Sequence, residues 1–117
     1  MFKKNNHNFS LIRNNKELDQ FIAKIKNCIN EQTRNAELLP KLLYALGEVY
    51  TRLGEWDKAV DLLKDAAAAA QRVGDLKALA SAFRMLDRAH ESLGRFYKAH
   101  CYREKLSQLV VQSDFPL

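Results

Sequence analysis

His90, His100 and Cys101 are the side chains of this 117-residue sequence that could together hold a metal ion. Their spacing argues against it. Residues share a helix face at intervals of three or four, so the adjacent His100 and Cys101 point in different directions. No Cys-x-x-Cys or His-Glu-x-x-His run accompanies them. Asp57 and Asp61 stand one helical turn apart, a spacing that could serve acid–base work. They sit beside Lys58 and Lys64, which reads as a salt-bridged surface rather than a catalytic pair. The glycines stand singly, so no loop cradles a phosphate. No Gly-x-Ser-x-Gly and no nucleophile with an orienting base is present. The sequence predicts no catalytic residue, no metal ligand and no cofactor, hence a protein that is not an enzyme. Cys28 and Cys101 fall at no motif spacing and are expected as buried, reduced thiols, which fits a cytoplasmic setting.

With chemistry set aside, the elements come into view. One hundred and seventeen residues make one domain's worth of chain. Only four Gly and two Pro interrupt an Ala-, Leu-, Lys- and Glu-rich composition, which favours helix. Residues 1–13 read as a polar, Asn-rich tail without an apolar run behind its basic start, so no secretory signal is expected. No apolar stretch reaches the roughly 18 residues that a membrane span needs, and no membrane association is expected.

From Asn14 or Asn15, either of which could cap it, a first helix is predicted over about 16–30. Its apolar stripe is Leu18, Phe21, Ile22, Ile25, Cys28 and Ile29, and residues 31–35 form the following loop. Further helices are predicted at about 36–53, 55–73, 76–93 and 95–112, with a short tail over 113–117. Gly54 and Gly94 end the second and fourth in the left-handed conformation that glycine permits. Loops of two to five residues make consecutive helices antiparallel neighbours. No alternating strand pattern appears. The expected fold is all-α, about five helices.

These helices repeat at a spacing of 40 residues. Leu39, Leu46, Leu53, Gly54, Lys58 and Ala59 recur as Leu79, Leu86, Leu93, Gly94, Lys98 and Ala99. Trp56 recurs as Phe96 and Leu43 as Phe83. Leu46-Gly47-x-x-Tyr50, then Gly54-x-Trp56-x-x-Ala59, then Leu63 and Ala66, resembles the tetratricopeptide repeat. In that pattern Gly47 and Ala59 are small where the paired helices cross, and the large residues fill the space around them. The second copy departs from it: Asp87 replaces the small residue, His90 the Tyr, and Arg103 the residue matching Leu63. The family's usual period is about 34 residues. The 40-residue spacing resembles the longer-repeat branch found in signalling adaptors, polarity scaffolds and bacterial peptide-sensing regulators. The organisation this implies is a half repeat or cap over 14–35, a repeat over 36–74 and a repeat over 75–112, together one domain over 14–117.

The resemblance implies a protein–protein interaction module, an adaptor or scaffold, with a peptide or partner helix in a concave groove lined by the first helix of each repeat. By position, Lys41, Tyr44, Arg52, Arg84, Met85 and Arg88 would contact that partner. Their basic balance suits an acidic segment or a free carboxylate. The Lys/Asn carboxylate clamp known in the family is not reproduced, since Glu48 stands where Asn is expected. Two and a half repeats fall short of the three such arrays normally need. Leu106, Leu109 and Val110 on the last helix would then be an uncovered face, available for a homodimer. The rival class is nucleic-acid association. The net charge is +5, concentrated before residue 36, where seven Lys/Arg meet three Asp/Glu. Arg84, Arg88, Arg95, Lys98, Arg103 and Lys105 could form a patch beside Phe96 and Tyr97, although no nucleic-acid motif accompanies them.

Overall fold

A computed structural model describes residues 15–31 and 36–113. The expected 1–13 tail, a cap at Asn14, most of the 31–35 loop and the chain after Ser113 lie outside those residues, as does the Leu18 side chain. The described chain is five antiparallel helices: α1 (Asn15–Glu31), α2 (Leu39–Arg52), α3 (Trp56–Val73), α4 (Leu76–Ser92) and α5 (Phe96–Ser113). No strand occurs among the described residues, and none of their helices is long and apolar enough to cross a membrane. The fold is an all-α helical repeat.

The turns explain why helices pair. At Gly54 (φ 76°) the backbone is left-handed, a conformation that costs any side chain strain. The Gly54 N–H donates to the Thr51 carbonyl (3.0 Å) and the Glu55 N–H to the Tyr50 carbonyl (2.9 Å), which satisfies the carbonyls that α2 would otherwise leave open. Forty residues on, Gly94 N–H to Glu91 O (3.0 Å) and Arg95 N–H to His90 O (2.8 Å) repeat the motif. Asp75 opens α4 by accepting the Ala78 N–H at 3.0 Å. α2 has no such cap at Leu38 and begins later than expected, at Leu39 rather than 36. Pro40 accounts for the difference. It fits a first helical turn, where no N–H is needed. Having no N–H, it cannot bond back to residue 36, so the first bonds are those of the Lys41 and Leu42 N–H groups to the Leu38 carbonyl, both 3.1 Å.

Packing follows from small residues at the crossings. A Cβ added to Gly47 would stand 3.0 Å from both Cγ and Cδ2 of Leu63, so α2 and α3 touch through the glycine. Leu46, Leu63 and Leu86 are fully buried in one core cluster with Tyr50, Ala59, Val60 and Ala89. Ala66, Ala67, Ala69 and Ala70 of α3 join Leu43, Leu79 and Ala82 in a second. Truncating any of the three leucines to Ala should cost about 2–5 kcal/mol.

The helix ends of the array depart from expectation. α1 buries Ile22 and half-buries Ile25 and Ile29 against α2, but Phe21 is 51% exposed and Cys28 is exposed. A helix with one principal neighbour covers a narrow stripe, and Phe21 and Cys28 lie at its edge. Cys101 is half-buried, and neither cysteine is the buried thiol that the sequence suggests. Phe96 is 66% exposed although its counterpart Trp56 is half-buried.

Candidate functional site

The residues expected to contact a partner come from α2 and α4, which lie side by side across α3. Lys41 is exposed and Tyr44 half-buried on α2, while Arg84 and Arg88 are exposed on α4. All but Lys41 register electrostatically on one group. Burial raises the pKa of the Tyr44 hydroxyl and Glu48 raises it further, while Arg84 and Arg88 act to lower it. Tyr44 is therefore an un-ionised phenol within the field of both guanidiniums. Beside it a cavity of about 320 Å³ is lined by Lys41, Tyr44, Asp75, Lys77, Ala78 and Ser81. Asp75, Lys77 and Ala78 escaped the sequence reading because they sit at a helix start, where no periodicity marks a face.

One expected contact, Met85, is placed differently. Met85 is buried in the core cluster with Leu46 and Leu86 rather than on the groove wall. The cause is the position of α4, which packs against α3 on one side and α5 on the other and so buries a wider arc than an edge helix. Arg52 is highly exposed at the C-terminal end of α2 and forms a loose pair with Glu48, 3.8 Å away.

A family model described as "Tetratricopeptide repeat" matches residues 38–109, which takes in α2 to α5 almost entirely. The chain belongs to the tetratricopeptide repeat family. No curated protein matches the sequence. Tetratricopeptide arrays are generally non-enzymatic and serve as protein–protein interaction modules, with extended concave surfaces for binding.

The second repeat of this tetratricopeptide unit resolves its own departures from the pattern. Asp87 and Arg103 stand where the first repeat has Gly47 and Leu63, and they bind each other. Arg103 Nε and one terminal nitrogen donate to the two Asp87 carboxylate oxygens at 3.0 and 2.8 Å, with Glu91 3.9 Å away. The pair keeps the Arg103 pKa raised, first through the hydrogen bond to Asp87. His90, in the place of Tyr50, is buried and stacks on Tyr102 with ring centroids 5.5 Å apart.

The basic residues named for nucleic acid do not form one patch. Arg84 and Arg88 are exposed on α4 and act electrostatically on Tyr44, Arg103 is held by Asp87, and Arg95 by Asp57 at 2.8 Å. Lys98 and Lys105, together with Arg95, line a different cavity between α3 and α5. His100 lies on the outer side of α5, 3.8 Å from Glu104, away from buried His90. No group of three His, Cys, Asp or Glu side chains converges among the described residues. On α5, Leu106, Leu109 and Val110 are half-buried, and Leu109 packs on the alanine-rich cluster. Phe96, Tyr97 and Val111 are the more exposed apolar side chains of that helix, and of these the sequence reading left out Val111.

Proposed function

We propose that this tetratricopeptide unit binds an acidic peptide segment or helix of a partner protein in the groove between α2 and α4. The observation that carries this reading is the open cavity lined by Lys41 and the half-buried Tyr44, with Arg84 and Arg88 outside its lining but acting electrostatically on the Tyr44 hydroxyl. Two guanidiniums supply charge-assisted hydrogen bonds to carboxylates, and Tyr44 supplies apolar area with a polar tip. Arg52 extends the basic wall. The partner's backbone gains further contacts from the polar groups of Ser81 and Lys77. Glu48 limits the positive charge of the groove and so disfavours indiscriminate polyanions, including nucleic acid.

The test is fluorescence anisotropy with a labelled Glu-rich peptide carrying one aromatic residue. Arg84→Glu with Arg88→Glu should abolish binding while far-ultraviolet circular dichroism stays unchanged, because both side chains are exposed. Unchanged affinity in the double variant would remove the groove from consideration. Binding should survive moderate salt, since apolar area contributes to it. A steep loss with salt would favour the nucleic-acid class instead.

Self-association through α5 is a second element of the proposal. It rests on the exposure of Phe96, Tyr97 and Val111 along α5, which also carries half-buried Leu106, Leu109 and Val110. Light scattering across a concentration range should give a dimer mass, reduced to a monomer mass by Leu106→Glu. A monomer in the unaltered chain at every concentration would exclude it.

A further inference from the structure

On the side of the molecule formed by α3 and α5, a cavity of about 470 Å³ opens over α4. Its walls carry Lys64 from α3, Arg95 from the turn before α5, and Lys98 and Lys105 from α5, against Asp57 and Asp61. Among the described residues Lys64 and Lys98 form no ion pair, whereas Arg95 is bound to Asp57 at 2.8 Å. The cavity is also lined by His90, which is only 3% exposed and whose Nδ1 has no hydrogen-bond partner among the described residues. A buried polar nitrogen left without a partner costs free energy that a ligand can return. The first repeat has Tyr50 at this position, so the feature belongs to the second repeat alone.

We infer that this cavity is a binding site for a small phosphorylated molecule, held by Lys64 and Lys98 from opposite walls over His90. The cavity's volume suits a small molecule. Phosphate fits better than carboxylate because the cations differ in kind. The planar fork of arginine matches a carboxylate, and here Arg95 is already engaged by Asp57. What remains are lysine amines, point charges that several oxygens of one dianion can share. Lys105 lies over the Tyr102 ring at 5.1 Å, and Tyr102 in turn stacks on His90, so an anion here touches a connected set of side chains. Burial lowers the His90 pKa, with Arg95, Lys98 and Lys64 adding to the effect and Asp57 opposing it. A bound dianion reverses the electrostatic part of that balance.

The test is a titration of the full chain with inorganic phosphate, followed by proton–nitrogen correlation spectra and the His90 ring resonances at constant ionic strength. The expected result is a saturable shift at His90, Lys64 and Lys98 in the millimolar range, with the His90 pKa rising. Lys64→Glu with Lys98→Glu should weaken the binding by roughly tenfold or more, since two charge-assisted contacts are lost. Arg84→Glu with Arg88→Glu, in the other groove, should leave it unaltered. Succinate should bind more weakly than phosphate. The inference is overturned if phosphate moves His90 no more than chloride does, if succinate binds as tightly, or if the lysine variant binds like the parent.

Discussion

The two repeats solve one packing problem in two ways. In the first, Gly47 on α2 lets Leu63 of α3 come so close that a Cβ would meet its side chain at 3.0 Å. In the second, the same two positions hold Asp87 and Arg103, joined by two hydrogen bonds of 2.8 and 3.0 Å. The apolar solution is sealed, with Leu63 fully buried. The ionic one lies at the edge, where Arg103 keeps half its side chain in water. An ion pair needs that solvation, because a fully buried one must offset the desolvation of both charges. The difference teaches that a repeat position is defined by its partner rather than by its residue type. What reads in sequence as two separate losses is one exchange.

The sharpest way to break the comparison is to move one half of the second solution into the first. Gly47→Asp should cost more than about 3 kcal/mol, through overpacking against Leu63 and a buried carboxylate without a partner. Urea denaturation will measure it. A loss below about 1 kcal/mol would show that the crossing is looser than the 3.0 Å approach implies. Adding Leu63→Arg to that variant should not restore stability, because Leu63 is fully buried and the pair would lack the solvation that Arg103 keeps. In the second repeat, Asp87→Gly and Arg103→Leu should each destabilise, and the pair together should destabilise less than their sum. Strict additivity in that thermodynamic cycle would contradict the exchange.

A smaller effect separates the helix starts. α4 is capped by Asp75 whereas α2 is not, so Asp75→Ala should lower stability by about 1 kcal/mol, read in the same urea titration. No change would show that the cap contributes little.

The smallest expected effect concerns His90 against Tyr50. The folded His90 pKa lies below its ordinary value of 6.5. As pH falls through about 6.5 the unfolded chain therefore takes up the proton first, and stability falls. The groups around the imidazole are Asp57, Asp61 and Lys64 on α3, Arg95 in the turn, and Lys98, Cys101, Tyr102 and Lys105 on α5. His90→Tyr, which copies the first repeat, should flatten the decline in melting temperature between about pH 7.5 and 5.5. An equal decline in both proteins would assign it to other groups.

Much of the fold was legible because its signals are local. Gly54 and Gly94 mark turns that any helix C-terminus would recognise, and the stripes of α2 and α3 repeat in α4 and α5. Family membership followed from the same residues. What escaped the sequence depends on neighbours. Phe96 copies Trp56 in type, but only the first repeat has another repeat's turn beside it, with Arg95 reaching Asp57. Phe96 therefore stays in water, and periodicity cannot report that. Met85 went the other way: α4 sits between two helices, and its buried arc takes in a residue that a single-sided pattern assigns to the groove. The cavity over His90 combines residues from two repeats and a turn, and no single helix pattern contains it.

The measurement that bears most directly on the account is a backbone chemical-shift map of the chain titrated with the Glu-rich aromatic peptide. The interaction-module reading predicts saturable shifts concentrated at Lys41, Tyr44, Arg84 and Arg88. Shifts confined to α5 or to the cavity around Lys98, or no saturable shift at all, would contradict it.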